Sequence, residues 1–464
     1  MNIETALANY DLPKIRQYQE KTPRADLAKI PGSRGLPFFG HMFPFLKDFH
    51  KLLDQEHARH GPVFKQKSPL GEMVFLLGPE ANELVLKNED KLFSNFLAWD
   101  VTFKGLFDNN LLERDFSDHK QKRRILQAAF KREAIVQHLA IMSPVLKAGI
   151  SQLSSGKTVK AKNFLKDLLL DTGAKVFLGS DIGPEAKNLN QAFEAIVAGT
   201  ADFFKWEKIW FSPYAKGVKG NQVVSEFIFR EIDVRRSSSG GDMFTQFCQL
   251  KDDEGRYFSD EEIRDHILFL LFAAHDTTTS TLSSTLYALA SNSEWQEELR
   301  AEVTAIDKED LELDDLDLLV KTGWTIAEAL RMYPPLAMMP RVALREFEFA
   351  GHIFPRNTPV AVSPLFTHYM EEYWEKPHTF DPTRFSPERN EQKGNFFQYI
   401  PFGGGAHKCL GLHFAEVQGK TFLYHLLKNY KVSKDEKMDS YKYNNIPLTF
   451  PTDGLPLTFT LLQD

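Results

Sequence analysis

The sequence predicts a mainly α-helical protein with small β-sheets, an α+β fold formed as one domain over residues 1–464. Helical periodicity dominates from about Phe116 to Leu330 and returns from Leu412 to Leu427. Strand-like runs punctuated by proline and glycine occur near residues 62–77, 345–362 and 448–462. We find no internal repeat and no linker long enough to separate two domains.

Local signals predict where several helices begin and end. Ser259 followed by Glu262, and Ser293 followed by Gln296, are each typical of a helix N-terminus. Residues 235–242 (RRSSSGGD) predict an interhelical loop. Residues 1–30 are expected to be an N-terminal extension of the domain.

Composition excludes several classes of function. The 56 Lys and Arg residues against 63 Asp and Glu residues give a net charge of −7, which argues against nucleic acid as the main partner. The two cysteines are too few for a disulfide framework. The N-terminus lacks the pattern of a signal peptide, and the longest apolar run, 267–274, is too short to span a bilayer, so we expect a cytoplasmic protein without a membrane anchor.

The strongest chemical signal is a cysteine placed just before a helix. The run PFGGGAHKCLG, residues 401–411, precedes the predicted helix that starts at Leu412. A helix N-terminus stabilises a thiolate, and the three glycines would let the backbone approach a bulky planar group. Cys409 could instead be an ordinary buried cysteine, or a zinc ligand with His407 and His413, although no CxxC partner exists for zinc.

This loop resembles the haem-binding loop of the cytochrome P450 superfamily. Phe402, Gly405, Cys409 and Gly411 match its pattern Phe-x-x-Gly-x-x-x-Cys-x-Gly. The resemblance implies the cytochrome P450 fold, with haem b between a long central helix and the Cys-loop helix, and Cys409 as the axial ligand of the haem iron. A thiolate ligand favours O–O bond cleavage, so O₂ would be a co-substrate. Cofactor contacts from Phe402, Gly411 and Ala273 are also implied.

A second signal is an apolar run that turns polar within one predicted helix, ILFLLFAAHDTTTS at residues 267–280. Taken alone, the Ser and Thr residues could simply kink the helix. The run resembles the oxygen-binding helix of the superfamily, and this implies that Asp276 and Thr277 form its acid and alcohol pair, which delivers protons during oxygen activation. Ala274 stands where the family usually has glycine.

A third signal is Glu328 followed by Arg331, with Arg384 in the later run FDPTRF. On spacing alone, Glu328 and Arg331 form an i, i+3 pair that is usually solvated. The pair resembles the superfamily's Glu-x-x-Arg motif. The resemblance implies that all three residues form a structural triad that fixes the haem-binding face.

Four further residues are expected to contact the haem propionates. Carboxylates that are partly buried need cationic or hydrogen-bond-donating partners. By their positions relative to the family motifs, the expected partners are His119, Arg123, Arg341 and His407. Each of them alone would more often be an ordinary surface charge.

The substrate is expected to be lipophilic. The chain has 39 Phe residues, and apolar side chains fill the regions that correspond to substrate-recognition segments of the family. The expected pocket residues, about half of which could be plain core residues, are Phe96, Trp99, Phe103, Phe107, Phe203, Phe204, Phe269, Leu336 and Met338. The entry segment at residues 35–40 (GLPFFG) and the Cys loop resemble the retinoid-hydroxylating branch of the superfamily. A retinoid, terpenoid, steroid or fatty acid would fit the apolar pocket.

Oxygen activation also requires electrons. The stretch after Tyr430 is too short for a fused reductase, so we expect a separate ferredoxin or flavodoxin-type donor supplied by NAD(P)H, and a monomeric enzyme. A basic patch could dock the donor, or it could be an ordinary charged surface: Lys120, Lys122, Arg124, Lys131, Arg132 and Lys408. The alternative functions are a peroxide-using relative, against which Asp276 and Thr277 argue, and a haem sensor or carrier, against which Cys409 ligation together with the proton relay argues.

Overall fold

The computed structural model describes residues 2–69, 71–179, 185–200, 202, 205, 209–251, 254–438 and 440–462. Expected pocket residues Phe203 and Phe204 lie outside these residues. No helix among the described residues is both long enough and apolar enough to cross a membrane.

Most of the described chain is helical, as the sequence predicts. The α-helices are α1 (Ile3–Ala8), α2 (Leu12–Lys21), α3 (Met42–Lys47), α4 (Phe49–His60), α5 (Pro79–Lys87), α6 (Phe96–Phe103), α7 (Phe116–Leu126), α8 (Arg132–Ile150), α9 (Ala161–Leu178), α10 (Ala186–Thr200), α11 (Pro213–Arg236), α12 (Met243–Gln249), α13 (Asp260–Ser291), α14 (Ser293–Ile306), α15 (Val320–Met332), α16 (Pro364–Thr367) and α17 (Leu412–Asn429).

The strands form small sheets beside the helices. They are β1 (Val63–Ser68), β2 (Gly71–Leu76), β3 (Phe93–Ser94), β4 (Lys157–Lys160), β5 (Met339–Ala343), β6 (Phe347–Phe349), β7 (His352–Phe354), β8 (Pro359–Val362), β9 (Tyr430–Lys434), β10 (Tyr443–Asn444), β11 (Phe450–Pro451) and β12 (Pro456–Leu461). One sheet has the order β1-β2-β8-β5-β3, with β2 and β8 parallel, and another has the order β4-β12-β9. The three strand regions predicted from the sequence all contain strands.

The long helix α13 runs through the main hydrophobic core together with α9 and α17. Its N-terminus carries the predicted capping box, in which the Ser259 hydroxyl accepts from the Glu262 N–H and the Glu262 carboxylate accepts from the Ser259 N–H. The cap predicted at Ser293 is wrong. Asn292 occupies the cap position of α14 without a side-chain hydrogen bond, because α14 follows α13 directly and leaves no extended turn before Ser293.

The N-terminal segment packs firmly against the rest of the molecule. Buried Ile3, Leu7 and Ile15 of α1 and α2 share a hydrophobic cluster with Phe96 of α6. Arg16 of α2 also forms an ion pair with Asp100 of α6, which is largely buried. The first two helices therefore support the helix on which several expected pocket residues lie.

Candidate active site

Cys409 lies in the loop that leads into α17. Its N–H donates to the Phe402 carbonyl (2.9 Å), and the Gly411 N–H donates to its sulfur. Burial raises the pKa of the Cys409 thiol, while the Gly411 hydrogen bond and the charges of Arg123 and Lys408 lower it. The side chain nevertheless keeps accessible surface. A bound cation at an accessible sulfur would favour the thiolate.

The glycines of this loop also allow close packing on neighbouring segments of the protein. Gly403 and Gly405 have φ of +69° and +62°, a region that favours glycine. A Cβ on Gly405 would lie 2.0 Å from the carbonyl oxygen of Leu86, and one on Gly404 would lie 2.9 Å from the Phe397 ring. Gly404 and Gly405 are required because the loop packs tightly on Leu86 of α5 and on Phe397.

The structure gives no support to the zinc alternative. The His413 side chain is 77% exposed and lies 4.0 Å from the Glu416 carboxylate. Among the described residues, no three His, Cys, Asp or Glu side chains come together as a metal-binding group. Cys409 is therefore without the two or three protein partners that a tetrahedral zinc site needs.

Four expected propionate contacts form one cluster of donors beside this loop. The rings of His119 and His407 stack with centroids 3.9 Å apart, and Asn95 Nδ2 lies 3.1 Å from His407 Nδ1. Burial lowers the pKa of His119 to about 3, and the charges of Arg123 and Arg341 lower it further. Burial lowers the pKa of His407 well below its usual value, and His119, Arg341 and Arg123 lower it further. Both imidazoles are neutral donors at pH 7.

The arginines of this cluster lack an anionic partner. Arg341 is 6% exposed and donates to the Pro340 carbonyl (2.8 Å). Neither Arg341 nor Arg123 forms an ion pair with a carboxylate in the described ranges. Burial lowers the pKa of Arg341 to about 10, even though the Asp115 carboxyl nearby opposes this effect. Buried cations beside neutral donors are suited to binding anionic groups.

The polar run of α13 continues the helix without a break. The Thr277 hydroxyl donates to the Ala273 carbonyl (2.5 Å). Leu270, Ala273, Ala274 and Thr277 are all partly exposed at the spacing of one helix face, whereas the Asp276 residue is 7% exposed. α13 contacts α17, and Ala273 packs against the same core as Phe402. Thr277 thus lies on an accessible face, with the carboxyl of Asp276 beside it in the chain.

Glu328, Arg331 and Arg384 come together as predicted. Glu328 accepts from Arg331 Nε (2.7 Å) and Nη2 (2.9 Å) and from Arg384 Nε (3.1 Å). All three side chains are at most 1% exposed. The arginines also donate to the carbonyls of His368 and Glu375. The solvated alternative is wrong: this is a buried network that joins α15 to the segment before the Cys loop.

An aromatic cluster joins α6 to α13. Trp99 stacks on Phe103 at 5.5 Å, and Phe103 contacts Phe107, Phe269 and Phe272 edge-on at 5.7 to 6.0 Å. The first four of these residues were predicted from the sequence. Phe272 was missed, although it lies one helical turn after Phe269, and that spacing could have identified it.

Two further expected pocket residues lie elsewhere. Phe96 faces the opposite way from Phe103 and packs on Tyr10 and Arg16, because α1 and α2 cover that side of α6. Met338 packs against a separate hydrophobic cluster, which includes Phe49 and residues of the five-stranded sheet. Leu336 is half-buried and belongs to none of the described hydrophobic clusters.

The expected basic patch is partly neutralised. Lys122 pairs with Glu262, and Arg132 pairs with Asp314. Lys120, Lys131 and Lys408 remain exposed. The free positive charge is therefore smaller than the sequence suggests.

Comparisons with known proteins agree with this geometry. The family model described as "Cytochrome P450" matches residues 30–459. The chain belongs to the cytochrome P450 family. It is 31% identical to "Putative cytochrome P450 136" of Mycobacterium tuberculosis, over 98% of this chain and 93% of that protein. It is 27% identical to "Taxane 10-beta-hydroxylase" of Taxus cuspidata, over 88% of this chain and 84% of that protein.

A solved cytochrome P450 has the same fold. "Retinoic acid bound cyanobacterial CYP120A1" superposes with a TM-score of 0.84 at 26% identity, covering 93% of this chain and 99% of that chain. The protein is thus a single-domain cytochrome P450 monooxygenase, an oxidoreductase of the haem-thiolate class. The desolvated, accessible thiol and the anion-deficient cluster of His119, Arg123, Arg341 and His407 fit a haem with its two carboxylates.

Proposed function

We propose that this cytochrome P450 hydroxylates an unactivated C–H bond of a lipophilic substrate of the retinoid, terpenoid or steroid type. The observation that carries the proposal is the aromatic cluster of Trp99, Phe103, Phe107, Phe269 and Phe272 between α6 and α13. The four phenylalanine rings carry no hydrogen-bonding group and favour apolar ligands over sugars or peptides, and the Trp99 indole adds a single N–H donor. A taxane hydroxylase and a retinoic acid-bound protein among the relatives support the same class.

In this proposal the Cys409 sulfur would bind the iron of haem b, and the cluster of His119, Arg123, Arg341 and His407 would hold the propionates. Phe402, Gly411 and Ala273 contact the macrocycle. The haem supplies O₂ binding and activation. Asp276 and Thr277 hold and move the protons that this chemistry consumes, with the Thr277 hydroxyl on the accessible face of α13.

Electrons are proposed to come from NAD(P)H through a separate ferredoxin or flavodoxin. The exposed lysines Lys120, Lys131 and Lys408, near the Cys loop and α7, would meet an acidic partner by charge complementarity. Association that depends on these lysines should weaken as ionic strength rises.

Titration of the oxidised protein with lipids tests the substrate class. Retinoids, diterpenoids or steroids should shift the haem from low spin to high spin, and Phe103→Leu should raise the Kd of the best ligand about tenfold because a ring contact is lost. The matched control is Phe347→Leu, a substitution at a buried Phe that stacks on Phe354 in another cluster. A response to fatty acids alone would favour the alternative, a fatty-acid hydroxylase.

Thr277→Ala should divert electrons from product to hydrogen peroxide. The hydroxyl that moves protons on the accessible face of α13 is lost, so product per electron should fall by about tenfold or more. Electron consumption, peroxide and product are measured together. Thr285→Ala is the control, since Thr285 donates to the Thr281 carbonyl in the same manner but is fully buried two turns away. Unchanged product per electron in Thr277→Ala would remove this residue from the relay.

A further inference from the structure

His275 is a buried histidine that the proposed function does not use. It is 2% exposed on α13, and its Nε2 lies 3.0 Å from the carbonyl oxygen of Lys166 on α9. A carbonyl only accepts hydrogen bonds, so Nε2 carries a hydrogen. In a neutral imidazole the other nitrogen, Nδ1, then presents a lone pair. Nδ1 has no hydrogen-bond partner of good geometry among the described residues.

The lone pair of Nδ1 faces the carboxyl of Asp276. Nδ1 lies 3.3 Å from Asp276 Oδ1. This is the one nitrogen within ion-pairing distance of the Asp276 carboxyl in the described part of the chain. Two lone pairs repel each other at this separation, whereas a proton between them would turn the contact into an attraction. The geometry therefore favours one additional proton on the pair, located between Nδ1 of His275 and the Asp276 carboxylate.

The surroundings of the pair are close to electrically balanced. Lys166 and Glu194 form an ion pair at 3.2 Å. Burial raises the pKa of Asp167. The charge of Glu194 raises this pKa further, whereas the charge of Lys166 lowers it. Burial lowers the pKa of Lys162. The charge of Lys166 lowers this pKa further, whereas the charge of Asp276 raises it. The remaining neighbour is the Phe193 ring, whose centroid is 6.0 Å from that of His275. The basic Lys162 and Lys166 are thus matched by the acidic Asp167 and Glu194. The net charge around the pair therefore does not disfavour an additional proton on it.

We propose that His275 is a positioning residue that orients the Asp276 carboxyl and shares with it the proton that Asp276 passes toward Thr277. When Asp276 gives up this proton, the pair becomes an aspartate beside a neutral imidazole. A proton from solvent water then restores it. The proposal deepens the proposed function, because it rests on Asp276 and Thr277 acting as the proton relay.

The first test measures the carboxyl group of Asp276 in the resting holoprotein and needs no turnover. Difference infrared spectroscopy identifies the Asp276 band as the one lost in Asp276→Asn. His275→Phe removes both nitrogens but keeps a flat ring, so it should shift this band and the pH at which it titrates. The control is His266→Phe, which removes another buried imidazole from α13, one that packs on Phe258 instead of Asp276. An Asp276 band that is unchanged in His275→Phe would overturn the proposal.

The second test follows product per electron from about pH 6 to about pH 9, over which the supply of protons from solvent falls. In His275→Phe it should fall about tenfold at the alkaline end and approach the native value at the acid end, where solvent protonates Asp276 directly. His275→Gln can still donate to the carboxyl but cannot hold the extra proton, so it should keep the carboxyl oriented without restoring the native infrared band or the alkaline coupling. Equal losses at every pH would overturn proton sharing.

The two tests separate this proposal from the proposed relay. If Asp276→Asn and Thr277→Ala leave product per electron unchanged, the relay itself is wrong. The infrared titration still reports whether His275 and Asp276 share a proton, since it does not depend on turnover.

Discussion

Replacing Cys409 by alanine is expected to abolish the thiolate-type haem spectrum and all hydroxylation. In the proposed site the Cys409 sulfur would bind the haem iron, and the Gly411 N–H, Arg123 and Lys408 all favour its thiolate form. An alanine offers no electron pair, so O–O bond cleavage loses the electron donation on which it depends. Absorption spectra of the reduced, carbon monoxide-bound variant, together with product analysis, measure both effects.

Cys248→Ala is the matched control because Cys248 is the other cysteine of the chain. Cys248 is fully buried in the main core, and burial raises the pKa of its thiol to about 12, so it is neither accessible nor ionised. This variant should keep the native spectrum. Retention of the thiolate-type spectrum in Cys409→Ala would remove Cys409 as the ligand.

Glu328→Gln is expected to destabilise the fold severely. The substitution removes the negative charge from between Arg331 and Arg384, which are at most 1% exposed. Breaking a buried ion pair in this way costs about 3 kcal/mol or more, because the buried Arg331 guanidinium loses its carboxylate partner, whereas Arg384 keeps its ion pair with Glu391. The free energy of unfolding of the holoprotein, measured with urea, should fall by that amount, and haem should be released at lower urea concentration.

A surface pair provides the comparison for this prediction. Glu83 on α5 lies 3.4 Å from Lys87, and both side chains are about half exposed. Glu83→Gln should therefore change the free energy of unfolding by no more than about 0.5 kcal/mol. Equal stability of Glu328→Gln and Glu83→Gln would show that the buried triad contributes no more than a solvated pair.

The parts of the site that the sequence predicts correctly are set by short-range spacing. Glu328 and Arg331 are one helical turn apart, and Cys409 is three residues from the start of α17. Thr277 likewise lies four residues after Ala273 and donates to its carbonyl. Such placements follow from helix geometry alone once the helix is assigned.

The errors arise where distant segments decide which way a side chain points. The apolar character of Phe96 predicts burial but not the side, which is fixed by helices α1 and α2. The close packing of the Leu86 backbone on Gly405 likewise joins segments that are distant in the chain. The sequence does not indicate a role for His275, because its hydrogen-bond partner Lys166 is 109 residues away in the chain. Side chains of this kind need the tertiary structure.

The most direct test is the absorption spectrum of the purified native protein, reduced and bound to carbon monoxide. We expect the strongly red-shifted Soret band of a haem with a thiolate ligand. That band should be lost in Cys409→Ala and kept in Cys248→Ala. A histidine-type band, or a protein that binds no haem, would contradict the haem-thiolate monooxygenase that the Cys409 loop and α13 are proposed to form.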